Sequence, residues 1–456
     1  MGALHWRERF FPDGQDQSCF FQKAAAQNLF QALFIPTIGW YNIISSVLKG
    51  GGPVRKRVGG GCLAAVLSAV LLCACGAAAS APAQATAAPP REAQQSALGV
   101  EQMLSELTLE QKVGQLFLVR PDALDLSVEP RQMDDPDAPG ATNVTDAMRG
   151  TLTRYPVGGI VMFGKNIERP QQVRSMLADL QSASAIPLFT AVDEEGGRVA
   201  RLANNENFDL PKYESSSAVG AGRDVSAARE MGRTIGTYLN EYGFNLDFAP
   251  VADLNTNPDN PVIGTRAFGS DPETVAELVG GACEGFAQAG VACTLKHFPG
   301  HGDTSEDTHN GAVSTGKTLD ELKACELIPF ARNLDHAPLI MAAHIAAPEV
   351  TGDDMPASLS RQMLTGLLRE EMGYTGLIVT DSLSMGAITS RYSSGQAAIQ
   401  ALQAGADVLL MPASLEEAYE AVLEAVKDGT IAESRLDESV RRILECKERY
   451  NVITFG

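Results

Sequence analysis

The chain has 456 residues, of which 45% are hydrophobic and 20% are charged, and its formal net charge is −20. This balance is typical of a globular protein and not of a disordered one. A chain this acidic is a poor partner for nucleic acid or for an anionic membrane face.

A basic, then apolar, then small-residue pattern near the N-terminus predicts export. Residues 55–57 are basic, residues 63–72 form an apolar run, and Leu72-Cys73-Ala74-Cys75 follows. The run is too short for a bilayer span, which needs about 20 residues. Leu-x-Ala-Cys resembles the lipobox of bacterial lipoproteins. That resemblance implies that 54–75 is a lipoprotein-type signal peptide, that Cys75 is acylated, and that the mature protein is extracytoplasmic and lipid-anchored to the cell membrane. An ordinary signal peptide cleaved nearby is the alternative.

The segments on either side of this signal are not expected to fold as domains. Residues 1–53 precede a signal that should stand first, so we interpret them as a doubtful upstream segment from a mis-assigned start; a membrane helix over the uncharged residues 24–48 is the alternative. Residues 76–97 are rich in Ala and Pro and are predicted to be a linker, because such a composition buries no core.

From about Leu98 the chain alternates short apolar runs with amphipathic stretches of helical periodicity. Eight runs are found, at 113–119, 158–163, 187–193, 244–251, 292–298, 338–344, 376–382 and 407–412. Runs that are apolar throughout suit strands buried on both faces of a parallel sheet. The count of eight predicts a (β/α)8 TIM barrel forming a single catalytic domain over 98–456. A doubly wound open sheet is the rival architecture.

Polar residues follow several of these runs, and in a barrel such ends meet on one face. They are Asp193, Asp247, Asp253, Lys296, His297, His344 and Asp381. Carboxylates and cations together bind neutral hydroxyl groups by charge-assisted hydrogen bonds, so the ring suits a polyhydroxylated ligand. The long acidic segment 121–156, after the first run, is expected to wall one side of the mouth.

The segment from Lys296 to His309 holds three of the six histidines of the chain. Asp307 and His309 are two residues apart, so in an extended loop their side chains point the same way and form a general acid/base pair. The competing interpretation is a metal site built from His297, His301, His309 and His344. The His-x-His pair that hydrolytic metal barrels carry after their first strand is missing, so we expect no metal and no organic cofactor.

These residues carry a family resemblance. The loop KHFPGHGDTSEDTH (296–309) is similar to the signature loop of the β-N-acetylglucosaminidase branch of glycoside hydrolase family three. The resemblance extends, in the correct order, to GGIVMFGKNI (158–167), DEEGGRVARL (193–202), GTRAFGSDP (264–272) and VTDSLSMGAI (379–388). It covers roughly residues 98–456.

The resemblance implies a role for each matching position. Asp381 matches the catalytic nucleophile, His309 the general acid/base, and Asp307 its partner. Five further positions match the residues that bind the terminal N-acetylglucosamine: Asp193, Arg201, Arg266, Lys296 and His297. His301 is expected to shape the loop.

The function expected from the resemblance is retaining, exo-acting hydrolysis of terminal β-linked N-acetylhexosamine from cell-wall fragments, chitin oligomers or glycans. A neutral histidine acting as base also tolerates phosphate, so a phosphorylase is one alternative. A β-glucosidase of the same family and a non-catalytic sugar-binding lipoprotein are the others. The expected partners are a carbohydrate substrate and, through the lipid anchor, a membrane.

Overall fold

The structure is a computed structural model, and it describes residues 91–305, 308 and 311–455. Some of the predicted features therefore lie outside the described residues: the upstream segment 1–53, the signal peptide 54–75 with Cys75, the linker up to residue 90, and the acid/base pair Asp307 and His309.

Eight parallel strands carry the fold, and each lies within one of the eight predicted apolar runs. They are β1 (Phe117–Val119), β2 (Gly159–Met162), β3 (Phe189–Val192), β4 (Leu246–Asp247), β5 (Thr294–Phe298), β6 (Leu339–Ala342), β7 (Leu377–Thr380) and β8 (Leu409–Leu410). Every residue of these strands is buried. A strand covered on both faces needs apolar side chains at consecutive positions, which is why the runs do not alternate.

The strands pair in two groups. The first is a five-stranded parallel sheet in the order β8-β1-β2-β3-β4, and the second is a three-stranded parallel sheet in the order β7-β6-β5. Isolated parallel bridges join residues at the two junctions: Leu246 pairs with Ala292, Val251 with Lys296, and Val379 with Val408. The chain is therefore an α/β fold with a parallel half-barrel sheet, as the run pattern predicts in outline.

Helices connect the strands and cover the sheet. Their bounds are Arg91–Glu106, Leu109–Gln115, Pro130–Asp134, Asp146–Arg154, Pro170–Ala183, Ser216–Gly220, Val225–Tyr242, Pro272–Gln288, Leu319–Ala324, Ile328–Arg332, Pro348–Thr351, Gln362–Glu371, Gly386–Thr389, Ser394–Ala404, Leu415–Lys427 and Glu433–Arg449. The two longest central helices begin at aspartate caps, Asp224 and Asp271, whose carboxylates accept from backbone N–H groups of the first turn. Gly243 ends the first of them in the left-handed conformation, with φ at 95°.

Two boundaries differ from the sequence pattern. The first apolar run begins inside a helix, because Thr108 and Gln111 form a capping box that starts the helix Leu109–Gln115. The described chain is also helical from Arg91, so the last residues of the expected linker belong to a helix. That helix buries Val100 and Leu104 in the core, which ties it to the rest of the fold.

Candidate active site

A cleft of about 790 Å³ opens at the carboxyl ends of the strands. In parallel α/β folds this edge collects the polar residues that follow each strand. Six of the predicted site residues line it, namely Asp193, Arg201, Arg266, Lys296, His297 and Asp381, and so do Glu195, His301 and Thr308. Residues 133–136 of the long acidic segment after β1 also line the cleft, on the side where that segment was expected to form a wall.

Asp193 and Lys296, two of the residues expected to bind the sugar, contact each other. Asp193 directly follows β3, and Lys296 lies within β5. The Lys296 Nζ is 2.7 Å from Asp193 Oδ1, and Arg201 Nη2 is 3.9 Å from Asp193 Oδ2. The side chain of Lys296 is only 2% exposed, while that of Asp193 is 18% exposed. Asp193 therefore keeps a carboxylate surface toward the cleft while a buried ammonium group holds it in place.

Glu195 connects the cations of the site, and no sequence argument gave it a role. Its carboxylate accepts two hydrogen bonds from Arg266, at 2.8 Å from Nε and 2.7 Å from Nη2, and lies 2.6 Å from Lys296 Nζ. Burial by itself raises the pKa of Glu195, but Arg266 and Lys296 outweigh it and hold that pKa well below its usual range. Glu195 is thus an ionised, buried anchor for two positive side chains.

His297 is fixed from behind by Asp253. The His297 Nδ1 lies 2.6 Å from Asp253 Oδ2, and the His297 backbone N–H also points at this carboxylate. Burial raises the pKa of Asp253, but His297 outweighs burial and the pKa is lowered. With Nδ1 directed at Asp253, the Nε2 atom of His297 faces Arg266, at 3.5 Å from Nη2.

His301 lines the cleft as well and is almost completely buried. Its Nδ1 is 2.9 Å from Thr304 Oγ1, and its backbone N–H donates to Asp253 at 2.7 Å. Burial and the neighbouring His297 lower the pKa of His301, which keeps the ring neutral. These contacts agree with the expected loop-shaping part, and they place the ring at the cleft surface too.

Asp381 stands at the end of β7. Its backbone N–H donates to Ala342 O at 2.8 Å, and its Oδ1 accepts from the Ser382 N–H at 2.7 Å. His344 lies behind it, with Nε2 2.8 Å from Ser382 O and Nδ1 2.7 Å from Ser358 Oγ. His344 therefore supports the backbone next to Asp381 and does not line the cleft.

Asp247 was grouped with the strand-end residues, but it is fully buried beneath the cleft. Its Oδ1 accepts from the Glu194 N–H at 2.9 Å. Glu194 in turn accepts from the Leu202 and Ala203 N–H groups and from the Tyr238 hydroxyl. Burial raises the pKa of both carboxyl groups, and most strongly that of Asp247. These two residues shape the turn after β3 instead of facing a ligand.

Among residues 91–305, 308 and 311–455, no group of three or more His, Cys, Asp or Glu side chains is arranged to hold a metal ion. In the same residues no helix is long and apolar enough to cross a membrane.

Comparison with known proteins gives a consistent family. The family model for the glycosyl hydrolase family 3 N terminal domain matches residues 108–446. Beta-hexosaminidase A of Pseudoalteromonas piscicida is 35% identical over 334 residues, which cover 68% of this chain and 56% of that protein. Beta-hexosaminidase LpqI of Mycobacterium tuberculosis is 37% identical over 317 residues, which cover 68% of this chain and 80% of that protein.

A solved structure supports the same family. A glycoside hydrolase family 3 beta-N-acetylglucosaminidase from a Paenibacillus species superposes with a TM-score of 0.69 and 39% identity, over 77% of this chain and 65% of that one. The chain thus spans just over half of the first relative, four fifths of the second and about two thirds of this neighbour.

The chain belongs to glycosyl hydrolase family 3, and its relatives lie in the β-N-acetylglucosaminidase branch that the motifs indicated.

Proposed function

We propose that this protein is a retaining, exo-acting β-N-acetylglucosaminidase that removes terminal β-linked N-acetylhexosamine from an oligosaccharide. The observation that carries the proposal is that Asp381 shares one cleft with all five residues expected to bind the terminal sugar. Carboxylates and cations in close contact offer both acceptors and donors to a ring of hydroxyl groups.

The proposed chemistry is a double displacement. Asp381 attacks the anomeric carbon while His309 gives a proton to the leaving oxygen, so that the glycosidic bond breaks and a glycosyl ester forms on Asp381. His309, now neutral, takes a proton from water, and that water cleaves the ester with the β configuration retained. Asp307 is proposed to orient the imidazole and stabilise its protonated form.

The sugar-binding residues have distinct proposed tasks. Asp193 accepts hydrogen bonds from hydroxyl groups, and Arg201, Arg266, Lys296 and His297 donate to ring oxygens and hydroxyls. Support comes from their contacts, because each cation already has a carboxylate or histidine neighbour that fixes its direction. A site held in place before the sugar arrives loses less entropy on binding.

We further propose that the two parallel sheets close into one (β/α)8 barrel and that residues 98–456 form a single domain. The isolated bridges between Leu246 and Ala292 and between Val379 and Val408 lie at the two junctions that closure requires. A crystal structure of residues 98–456 tests both statements; an open edge at either junction, or a second folded unit, would contradict them.

The proposed location is extracytoplasmic, with Cys75 acylated and residues 76–97 acting as a tether to the cell membrane. The support is the basic and apolar layout of residues 54–75 and the Leu-x-Ala-Cys ending. Mass spectrometry of the native protein should find a diacylated N-terminal cysteine peptide beginning at Cys75. A peptide from residues 1–53 would refute both the proposed start and the proposed anchor.

Turnover of p-nitrophenyl β-N-acetylglucosaminide, compared with the matching β-glucoside, tests the function. The wild type should prefer the N-acetyl sugar. Asp381→Ala should abolish turnover, His309→Ala should reduce it about 100- to 10,000-fold, and Asp307→Ala should also lower it. The control Asp179→Asn changes an exposed aspartate on the helix Pro170–Ala183 and should leave turnover unchanged.

The alternatives give different results in the same assay. A phosphorylase would release N-acetylglucosamine 1-phosphate in phosphate buffer, faster than free sugar is released without phosphate. A β-glucosidase would prefer the glucoside. A sugar-binding protein would turn over neither substrate and would still bind N-acetylglucosamine in isothermal titration.

A further inference from the structure

The cleft has a second side that the sugar-binding residues do not form. The short helix Pro130–Asp134 and the residues after it contribute to this side. Met133, Asp134, Asp135 and Pro136 line the cleft from this segment, which we call the acidic wall (residues 129–137). None of them contacts the buried cluster around Glu195 in the hydrogen bonds and ion pairs given by the described residues.

The acidic wall is fastened at three points of the cleft edge. Arg120, directly after β1, donates to Met133 O and lies 2.6 Å from Asp134 Oδ1. Lys165, after β2, donates to Gln132 O at 2.9 Å. On the far side Ser384 Oγ donates to Asp134 Oδ1 at 2.9 Å. Three separate strand ends therefore hold one short segment in a defined position.

Asp134 is the residue that these contacts place most exactly. Both of its side-chain partners, Arg120 and Ser384, use the same oxygen, Oδ1. The other oxygen, Oδ2, has no hydrogen-bond partner among the described residues, and the side chain is 42% exposed. Ser384 is three residues beyond Asp381 in the chain, and Asp134, Ser384 and Asp381 all line the same cleft.

The wall offers acceptors and few donors. The two cations that line the cleft beside it are already engaged, since Arg120 binds Asp134 and Lys165 binds the backbone carbonyls of Gln132 and Asp135. Asp135 accepts from the Asp137 N–H through one oxygen only. A hydroxyl-bearing neutral group would find acceptors here, whereas a carboxylate would meet the carboxylates of Asp134 and Asp135 beside cations whose donors are already in use.

We infer that Asp134 is a specificity-determining residue for the leaving group: its free Oδ2 accepts a hydrogen bond from a neutral second sugar, and the acidic wall disfavours a leaving sugar that carries a carboxylate. The inference rests on the proposed function, because it takes Asp381 as the point where the bond breaks. It selects neutral N-acetylglucosamine oligomers over acidic muramyl fragments as the substrate class.

The experiment compares leaving groups in one set of variants. The substrates are p-nitrophenyl β-N-acetylglucosaminide, N,N′-diacetylchitobiose, and the β-1,4-linked disaccharide of N-acetylglucosamine with N-acetylmuramic acid. The variants are Asp134→Asn and the matched control Asp137→Asn, which removes the same charge from an exposed aspartate of the same wall that does not line the cleft.

In the wild type, kcat/KM for diacetylchitobiose should exceed that for the muramic acid disaccharide by about fivefold or more. Asp134→Asn should lower kcat/KM for diacetylchitobiose by about tenfold, and should change turnover of the aryl glycoside by less than about twofold. Asp134→Asn should also reduce the ratio of kcat/KM for diacetylchitobiose to kcat/KM for the muramic acid disaccharide. Asp137→Asn should match the wild type on all three substrates.

Several results would overturn the inference. Equal losses on the aryl glycoside and on diacetylchitobiose would mean that Asp134 acts on the reaction centre or the fold. No loss on either, equal effects of the two variants, or a wild-type preference for the acidic disaccharide would each refute it. A wild type inactive on the aryl glycoside would instead refute the proposed function itself, and the inference with it.

Discussion

Lys447 is a lysine buried in the fold without a carboxylate partner among the described residues. Its side chain is 0% exposed, and its Nζ donates to Gln115 Oε1 at 2.7 Å and to Pro187 O at 2.6 Å. The Phe189 ring lies 5.2 Å from the same atom. Burial lowers the pKa of Lys447 to about 7, far below the usual lysine value. The Lys447 amine therefore loses its proton at a lower pH in the folded protein than in the unfolded chain.

This difference makes the free energy of unfolding depend on pH in a defined direction. An unfolded lysine titrates near a pKa of roughly 10.4, so between pH 7 and pH 10 the unfolded chain holds a proton that the folded chain lacks. The free energy of unfolding should therefore rise with pH across that window. Below pH 7 the contribution of Lys447 should not change with pH. At about 1.4 kcal/mol per pKa unit, the gain from pH 7 to pH 10 is at most about 4 kcal/mol.

The substitution Lys447→Met should remove this gain. The measurement is urea unfolding of the wild type and the variant at several pH values between 6 and 10, with the change in unfolding free energy across the range compared between them. Loss of the two hydrogen bonds lowers the free energy of unfolding of the variant by about 1–3 kcal/mol per unpaired acceptor at every pH. The test is therefore the slope of the unfolding free energy against pH, and not its absolute value. Other titrating groups are common to both proteins and cancel in that comparison.

The control is Lys112→Met, since Lys112 Nζ lies 2.7 Å from Asp437 Oδ1 and so has a carboxylate partner. This variant should keep the pH dependence of the wild type. A Lys447→Met protein with the same slope as the wild type would refute the reasoning, because it would show that the buried amine gives up no proton on folding.

Further predictions concern the buried carboxyl groups. Glu195→Gln should lower the free energy of unfolding by about 3–5 kcal/mol and kcat/KM by about 100-fold, because Arg266 and Lys296 lose their shared anion. Asp253→Asn should cost about 3 kcal/mol of stability, since the lowered pKa marks an ionised partner of His297. Asp247→Asn should change stability by less than about 1 kcal/mol, because burial raises the pKa of Asp247 and so favours its neutral form, and asparagine is neutral too.

Urea unfolding and steady-state kinetics check these three variants side by side. Equal destabilisation by Asp247→Asn and Asp253→Asn would contradict the assignment of one neutral and one ionised aspartate. Full activity of Glu195→Gln at unchanged stability would contradict the role of Glu195 as the anchor of the cations.

The sequence was sufficient to locate the strands, for a physical reason. Continuous apolar runs have few explanations other than burial on both faces, and all eight runs contain a strand. Strand lengths were not readable: β4 and β8 are two residues long, although their runs are longer. The prediction that the first run is a strand from its beginning was wrong. Its first residues belong to the helix Leu109–Gln115, which the capping box at Thr108 begins, and β1 begins only at Phe117.

The sequence indicated several residues that line the cleft, but it did not indicate which of them contact each other. Asp193 and Lys296 were chosen as separate ligand-binding residues, yet they contact each other across 103 positions of sequence. Glu195 stood inside the motif DEEGGRVARL without a role, because nothing local reveals that its partners are Arg266 and Lys296. Asp247 ends its strand and His344 follows its strand as a cleft residue would, but neither side chain lines the cleft.

One aromatic ring has a consequence for anyone who redesigns this cleft. The guanidinium of Arg120 lies 4.5 Å from the centre of the Phe163 ring, and that of Arg201 lies 5.4 Å from it. Arg120 holds the acidic wall in place, and Arg201 is one of the residues proposed to bind the terminal sugar, so both halves of the cleft contact the same ring. Changes made to one half should be non-additive with changes made to the other. An engineer who retunes leaving-group choice through Arg120 should expect terminal-sugar affinity to move as well, and Phe163→Leu should uncouple the two.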